Sequence, residues 1–218
     1  MANNPLFSWD LYHQAPIVGI IRGMAMGTLH KVAQAYLEAG LYTLEVTMNT
    51  DGAPEIIARL RREIPGLNIG AGTVCDMDDL HQALDAGAQF IVAPIINEAV
   101  IQYCVQHGVP VFPGAFTPTE IYKAWSLGAS AVKVFPANQF GLQYIKDVAA
   151  PLDKIKLLPT GGVSRENIRS FFEAGVFGVG MGSSLFHKEL IKWGDFDGLT
   201  QHFINMKLEI REFIGRDG

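Results

Sequence analysis

Five times along the chain a helical pattern ends in a glycine and passes directly into an apolar run: EAGLYTLEV (38–46), DAGAQFIVAP (85–94), QHGVPVFPG (106–114), SLGASAVKVFP (126–136) and EAGVFGVGMG (173–182). A glycine in this position can take the left-handed conformation that stops a helix. The residues after each glycine are strand-like, so one helix-glycine-strand unit is being reused. Apolar stretches of strand length occur at 16–23, 42–48, 67–73, 89–95, 109–116, 130–136, 155–162 and 177–183. Amphipathic patterns with helical spacing separate them, as at 28–40, 76–87 and 164–175, several opening on Ser, Thr or Asp. A last amphipathic stretch, DFDGLTQHFINMKLEIREFIG, reads as one closing helix. Eight alternating units with near-continuous apolar strands predict an α/β fold with a parallel sheet covered by helices, closed as a (β/α)8 TIM barrel in a single domain, 1–218. An open doubly wound sheet is the alternative; the first βα turn, IIRGMAMG, lacks the G-x-G-x-x-G of its dinucleotide-binding form.

The bulk numbers narrow the function. Hydrophobic residues make up 49% and charged residues 18% of the 218, which suits one large core. A net charge of -5 supplies no general field for nucleic acid, so an anionic ligand must be held by local donors. Cys75 and Cys104 match neither a metal knuckle nor a redox pair, and the opening MANNPLFSWDLYHQ has no signal-peptide pattern. The expectation is a cytoplasmic protein with reduced thiols and no membrane span. The six histidines show no H-E-x-x-H spacing, so neither metal nor cofactor is expected.

In a barrel, chemistry sits where the strands end, and the two-residue period of a strand decides which side chains point to the axis. In TLEVTMN, Leu44, Val46 and Met48 share the helix side, leaving Glu45, Thr47 and Asn49 on the axis. In SAVKVFP, Val132 and Val134 face the helices and Ala131, Lys133 and Phe135 face inward. An inward carboxylate and amine admit two readings: a buried ion pair, or a Schiff-base lysine with a carboxylate acid/base, since burial exposes the neutral amine as a nucleophile. Thr73, ending GAGT, is either a ligand contact or a turn hydroxyl; Arg22, ending GIIR, is either a carboxylate fork or a solvated loop residue. The last two strands end in PTGGVS and GMGSS, where Gly161, Gly162, Gly182, Ser183 and Ser184 can bring backbone N–H groups to a phosphate. Ser183 and Ser184 lack the G-x-S-x-G setting of a serine hydrolase.

Taken in order, LEVTMNT, IGAGTV, VFPGAFTPTE, VKVFPAN, LPTGGVS and GVGMGSSL resemble the 2-keto-3-deoxy-6-phosphogluconate (KDPG) and 2-keto-3-deoxy-6-phosphogalactonate (KDPGal) aldolases, a class I family that includes 4-hydroxy-2-oxoglutarate aldolase activity. The resemblance implies that Lys133 is the Schiff-base lysine and Glu45 the general acid/base, with Thr73 and Arg22 at the carboxylate of the pyruvate portion. It further implies phosphate binding by Gly161, Gly162, Gly182, Ser183 and Ser184, a pocket lined by Pro94 and Phe135, cleavage to pyruvate and glyceraldehyde 3-phosphate, and a homotrimer. Some members carry Arg where this chain has Asn49, and Arg22 is expected to take over that task. The segment FGLQYIKDV resembles the galactonate-type enzymes without being exclusive to them. Two rival classes share the same loops: a phosphosugar isomerase or decarboxylase, and a non-catalytic phosphate-binding barrel.

Overall fold

The computed structural model describes residues 6–215; the remainder of the expected 1–218 domain lies outside the described residues. The chain opens with α1 (Trp9–Gln14) and β1 (Ile17–Ile21), then alternates through α2 (Met26–Glu38), β2 (Thr43–Thr47), α3 (Ala53–Glu63), β3 (Asn68–Gly72), α4 (Met77–Asp85), β4 (Ile91–Val92) and α5 (Glu98–Gln106). The second half comprises β5 (Val111–Phe112), β6 (Gly114–Ala115), α6 (Pro118–Ser126), β7 (Val132–Val134), α7 (Gly141–Ala149), β8 (Leu157–Pro159), α8 (Ile168–Glu173), β9 (Val179–Met181), α9 (Lys188–Trp193) and α10 (Phe196–Leu208). All strand pairings are parallel. One sheet has the order β5-β4-β3-β2-β1-β9 and the other β6-β7-β8; an isolated bridge between Thr160 and Gly180 links their edges. The result is an α/β fold with a curled parallel sheet.

The repeat has a direct physical cause. Gly40, Gly87, Gly108, Gly128 and Gly175, the glycines of the five helix-glycine-strand units, all have positive φ, between 67° and 97°. In any other residue the Cβ would crowd the backbone there.

Three expectations needed correction. The run 109–116 forms two short strands rather than one, because Pro113 has no N–H to give the ladder: β5 pairs with β4, and β6 with β7. The C-terminal stretch is not a single helix; α10 ends at Leu208 and a 3-10 turn, Arg211–Phe213, comes after it. Asn49 does not share the axis face with Glu45. It is exposed in a turn beyond β2, where the N–H of Thr50 donates to the Thr47 carbonyl at 2.9 Å.

Two apolar clusters separate the faces of the sheet. Leu44, Val46, Val132 and Val134 belong to the large core between strands and helices, while Val18, Phe90, Val92, Phe112, Ala131 and Leu158 pack with Phe7 and Tyr12 in a second, inner one. The inner cluster fills the end where the strands begin. Helix α1 plugs it, held by Asn68, whose side chain donates to the Ser8 carbonyl at 2.9 Å and accepts from the Ser8 N–H at 2.8 Å. At the opposite end, where the strands stop, Arg22, Gly162 and Ser183 line an open cavity of about 620 Å³; another, of about 630 Å³, lies beside the plug against His13, Pro16 and Phe177.

Candidate active site

Strand parity carries Glu45 and Lys133 inward from the middle of β2 and β7. Both are nearly inaccessible, at 1% and 6% exposure. Glu45 owes its position to a missing side chain: a Cβ on Gly72 would lie 2.4 Å from Glu45 Oε1, so the carboxylate occupies space that only glycine leaves. Its Oε2 is buried with no hydrogen-bond partner.

Burial is the largest influence on each group, and it works against both charges. Desolvation raises the pKa of Glu45, while the positive charges of Lys133 and Arg22 partly oppose the rise. Desolvation lowers that of Lys133; Glu45 opposes this and Arg22 adds to it. A protonated or proton-accepting carboxyl beside an amine that readily becomes neutral is the electrostatic setting a carbonyl-attacking lysine requires. The Nζ of Lys133 lies 5.1 Å from the ring centroid of Phe135, which is 40% exposed and forms the outer wall above it.

Phe135 also lines a cavity of about 620 Å³ over the ends of β8, β9 and β1, together with Arg22, Gly161, Gly162, Gly182, Ser183 and Ser184. Gly161 and Gly162 have φ of 93° and 76°, and a Cβ on Gly162 would come within 2.4 Å of the Asn138 side chain. Among the described residues the backbone N–H groups of Gly162, Ser183 and Ser184 donate to no protein acceptor. Unpaired donors beside a cavity favour an anion there. The Ser184 hydroxyl is engaged internally, donating to the Val163 carbonyl at 2.6 Å and so tying the two glycine loops together.

Residues 10–202 match the family described as KDPG and KHG aldolase. The chain belongs to this family. Among its relatives, the 2-dehydro-3-deoxy-phosphogluconate aldolase of Treponema pallidum is 36% identical over 188 residues, covering 83% of this chain and 89% of that one. The 2-dehydro-3-deoxy-6-phosphogalactonate aldolase of Escherichia coli is 35% identical over 176 residues, covering 78% and 84%. A solved KDPG aldolase from Legionella pneumophila, with pyruvate captured at low pH as a covalent carbinolamine intermediate, superposes with a TM-score of 0.83 at 26% identity, covering 90% of this chain and 96% of that one.

In this KDPG and KHG aldolase family member not every residue singled out in the sequence reaches one place. Pro94 lines a neighbouring cavity of about 410 Å³, which shares only the Phe135 wall with the first. Thr73 lines neither cavity. It directly follows Gly72 and has a φ of 58°, an outlier for a β-branched residue. Such strain persists only where the surroundings enforce it. Cys75 lies close enough to Lys133 for the two to influence each other's ionisation. Lys188 and Lys192 on α9 also line the larger cavity. The two lysines carried no sequence signal, because α9 is a six-residue helix capped by His187 rather than by Ser, Thr or Asp; Cys75 read only as a reduced thiol with no partner in spacing. Among the described residues no group of three or more His, Cys, Asp or Glu could hold a metal ion, and no helix is long and apolar enough to cross a membrane.

Proposed function

We propose that the protein is a class I aldolase that cleaves a 2-keto-3-deoxy-6-phospho sugar acid to pyruvate and glyceraldehyde 3-phosphate. The observation that carries the reading is the inward Lys133, whose charge is disfavoured by burial beside Glu45, next to a cavity rimmed by unpaired N–H donors. The neutral Lys133 amine attacks the C2 ketone to give a carbinolamine, and loss of water leaves a protonated imine. That imine is the electron sink. Glu45 takes the proton of the C4 hydroxyl as the C3–C4 bond breaks; the aldehyde leaves and the bonding pair moves into an enamine. Protonation of the enamine at C3 and hydrolysis of the imine release pyruvate and regenerate the amine. Arg22 and Thr73 orient the carboxylate of the pyruvate portion, Phe135 and Pro94 shield the reacting carbons, and Gly161, Gly162, Gly182, Ser183 and Ser184 hold the phosphate. The phosphate lies several bonds from the reacting carbons, so its binding energy goes into positioning.

The same reading takes the two sheets as parts of one eight-stranded barrel forming a single domain. The Thr160–Gly180 bridge and the continuity of β5 and β6 across Pro113 support that closure. A homotrimer is implied by the family resemblance, and exposed Tyr122 and Phe140 suit a subunit contact. Two free cysteines suit the reducing cytoplasm. Coupled pyruvate-release kinetics on both phosphorylated C4 epimers, with 4-hydroxy-2-oxoglutarate as the third substrate, test the reading. Release from at least one phosphorylated acid, with higher kcat/KM than from the unphosphorylated one, is expected; no release from any of them overturns it.

A further inference from the structure

The cavity over the glycine loops is larger than a phosphate needs, and its outer wall is α9. Lys188 and Lys192 are one helical turn apart, which puts them on the same face, and Ile191 beside them lines the cavity as well. Arg22 enters from the end of β1. The cavity lining therefore contains three cations and no carboxylate, in a chain whose net charge is -5. No ion pair neutralises Lys188, Lys192 or Arg22 among the described residues. Nearby carboxylates are used elsewhere: Glu189 accepts from the indole N–H of Trp193 at 3.3 Å, and Asp195 caps α10 by accepting from the Gly198 N–H at 2.9 Å.

We propose that Lys188 and Lys192 are specificity-determining residues that select a phosphorylated substrate, supplying the charge that the neutral backbone donors of the glycine loops lack. The inference rests on the aldolase reading and deepens it. The loops provide directional N–H donors whose partial charges favour a phosphate oxygen over a neutral hydroxyl but carry no net charge. A pair of solvated ammonium groups distinguishes them by charge. Each group is exposed and screened by solvent, so its effect is modest, roughly threefold, and the pair contributes about tenfold. The helix acts as a cationic wall placed so that the dianionic end of the substrate is drawn toward the loops while its keto end reaches Lys133.

The double variant Lys188→Gln/Lys192→Gln tests this. Two quantities are measured: the ratio of kcat/KM on the phosphorylated keto acid to that on the same 2-keto-3-deoxy sugar acid without its phosphate, which ends in a neutral hydroxyl, and the affinity for inorganic phosphate by isothermal titration. The ratio is expected to fall about tenfold and phosphate binding to weaken by about the same factor. The charge-preserving Lys188→Arg/Lys192→Arg protein should recover both to within about threefold, which a merely structural role of α9 side chains does not require. Both quantities remaining within twofold of wild type overturn the proposal. Borohydride trapping of pyruvate on Lys133 separates the two layers: an adduct in the wild type with both quantities unchanged defeats the lysine proposal alone, whereas no adduct in the wild type defeats the aldolase reading, and the titration still reports on the lysines.

Discussion

Replacing Gly72 with alanine asks how closely the position of Glu45 is set. The backbone of Gly72 does not have positive φ, so alanine is sterically acceptable to the main chain. The new methyl is not acceptable to the carboxylate: its ideal position is 2.4 Å from Oε1, 2.6 Å from Cδ and 3.2 Å from Cγ of Glu45. Restoring ordinary van der Waals contact requires the carboxylate to withdraw by about 1 Å. All five residues of β2 are buried, so the displacement is taken up inside the site rather than in solvent. A misplacement of ~1 Å in a group that transfers a proton costs on the order of 100-fold in rate, and the overpacking itself ~1–3 kcal/mol in stability. In a chain of this size that is a fall in Tm of roughly 2–12 °C. Coupled pyruvate release gives kcat, and mass mapping after borohydride treatment with pyruvate reports on Lys133. We expect kcat to fall about 100-fold with the Lys133 adduct retained. Gly27→Ala is the control, since a Cβ at Gly27 meets nothing within 4 Å and alanine favours the first turn of α2. A folded Gly72→Ala enzyme with kcat within threefold of wild type would refute the idea that Glu45 is held in place by the space beside Gly72.

The same electrostatics set two further outcomes. The Glu45→Gln/Lys133→Met protein should be about 1–4 kcal/mol more stable than wild type at pH 7 by urea denaturation, because a desolvated ionisable pair is exchanged for neutral groups of similar size. The gap has a defined pH dependence: the Lys133 contribution is full at low pH and vanishes as pH rises toward 10.5, whereas the Glu45 contribution is absent below 4.5 and grows as pH rises above it. A less stable double variant at pH 7 contradicts this. In the wild type, kcat/KM should rise with pH along an acid limb centred above 4.5, the ordinary value for a glutamate, because the raised Glu45 and the lowered Lys133 titrate as a unit and must lose a proton to act. A limb centred at or below 4.5 would mean that burial does not control the pair.

Much of this site could be read from period and punctuation. Alternation alone separated Glu45 from Leu44 and Val46, and Lys133 from Val132 and Val134, because a strand has no other way to distribute its side chains. The five glycines after helices marked the unit boundaries for an equally local reason: their φ is positive. The features that stayed hidden depended on distant neighbours. Nothing in GAGTV signals that Thr73 is left-handed, since residues around the turn impose that conformation on a type that disfavours it. Asn49 continued the inward alternation on paper, but β2 ends at Thr47 and the chain turns. Pro113 announced a break that the apolar run around it concealed. Lys188 and Lys192 resembled ordinary surface lysines, because their relation to the glycine loops arises only when α9 folds over the end of β9.

In the proposed reaction Lys133 forms a covalent imine with the keto acid. Incubating the full-length protein with pyruvate and sodium borohydride, followed by peptide mass mapping, tests it directly. The expected result is a reduced pyruvate adduct on Lys133, absent from Lys133→Met and retained in Glu45→Gln with turnover lost. No adduct, or an adduct on another lysine, would contradict it.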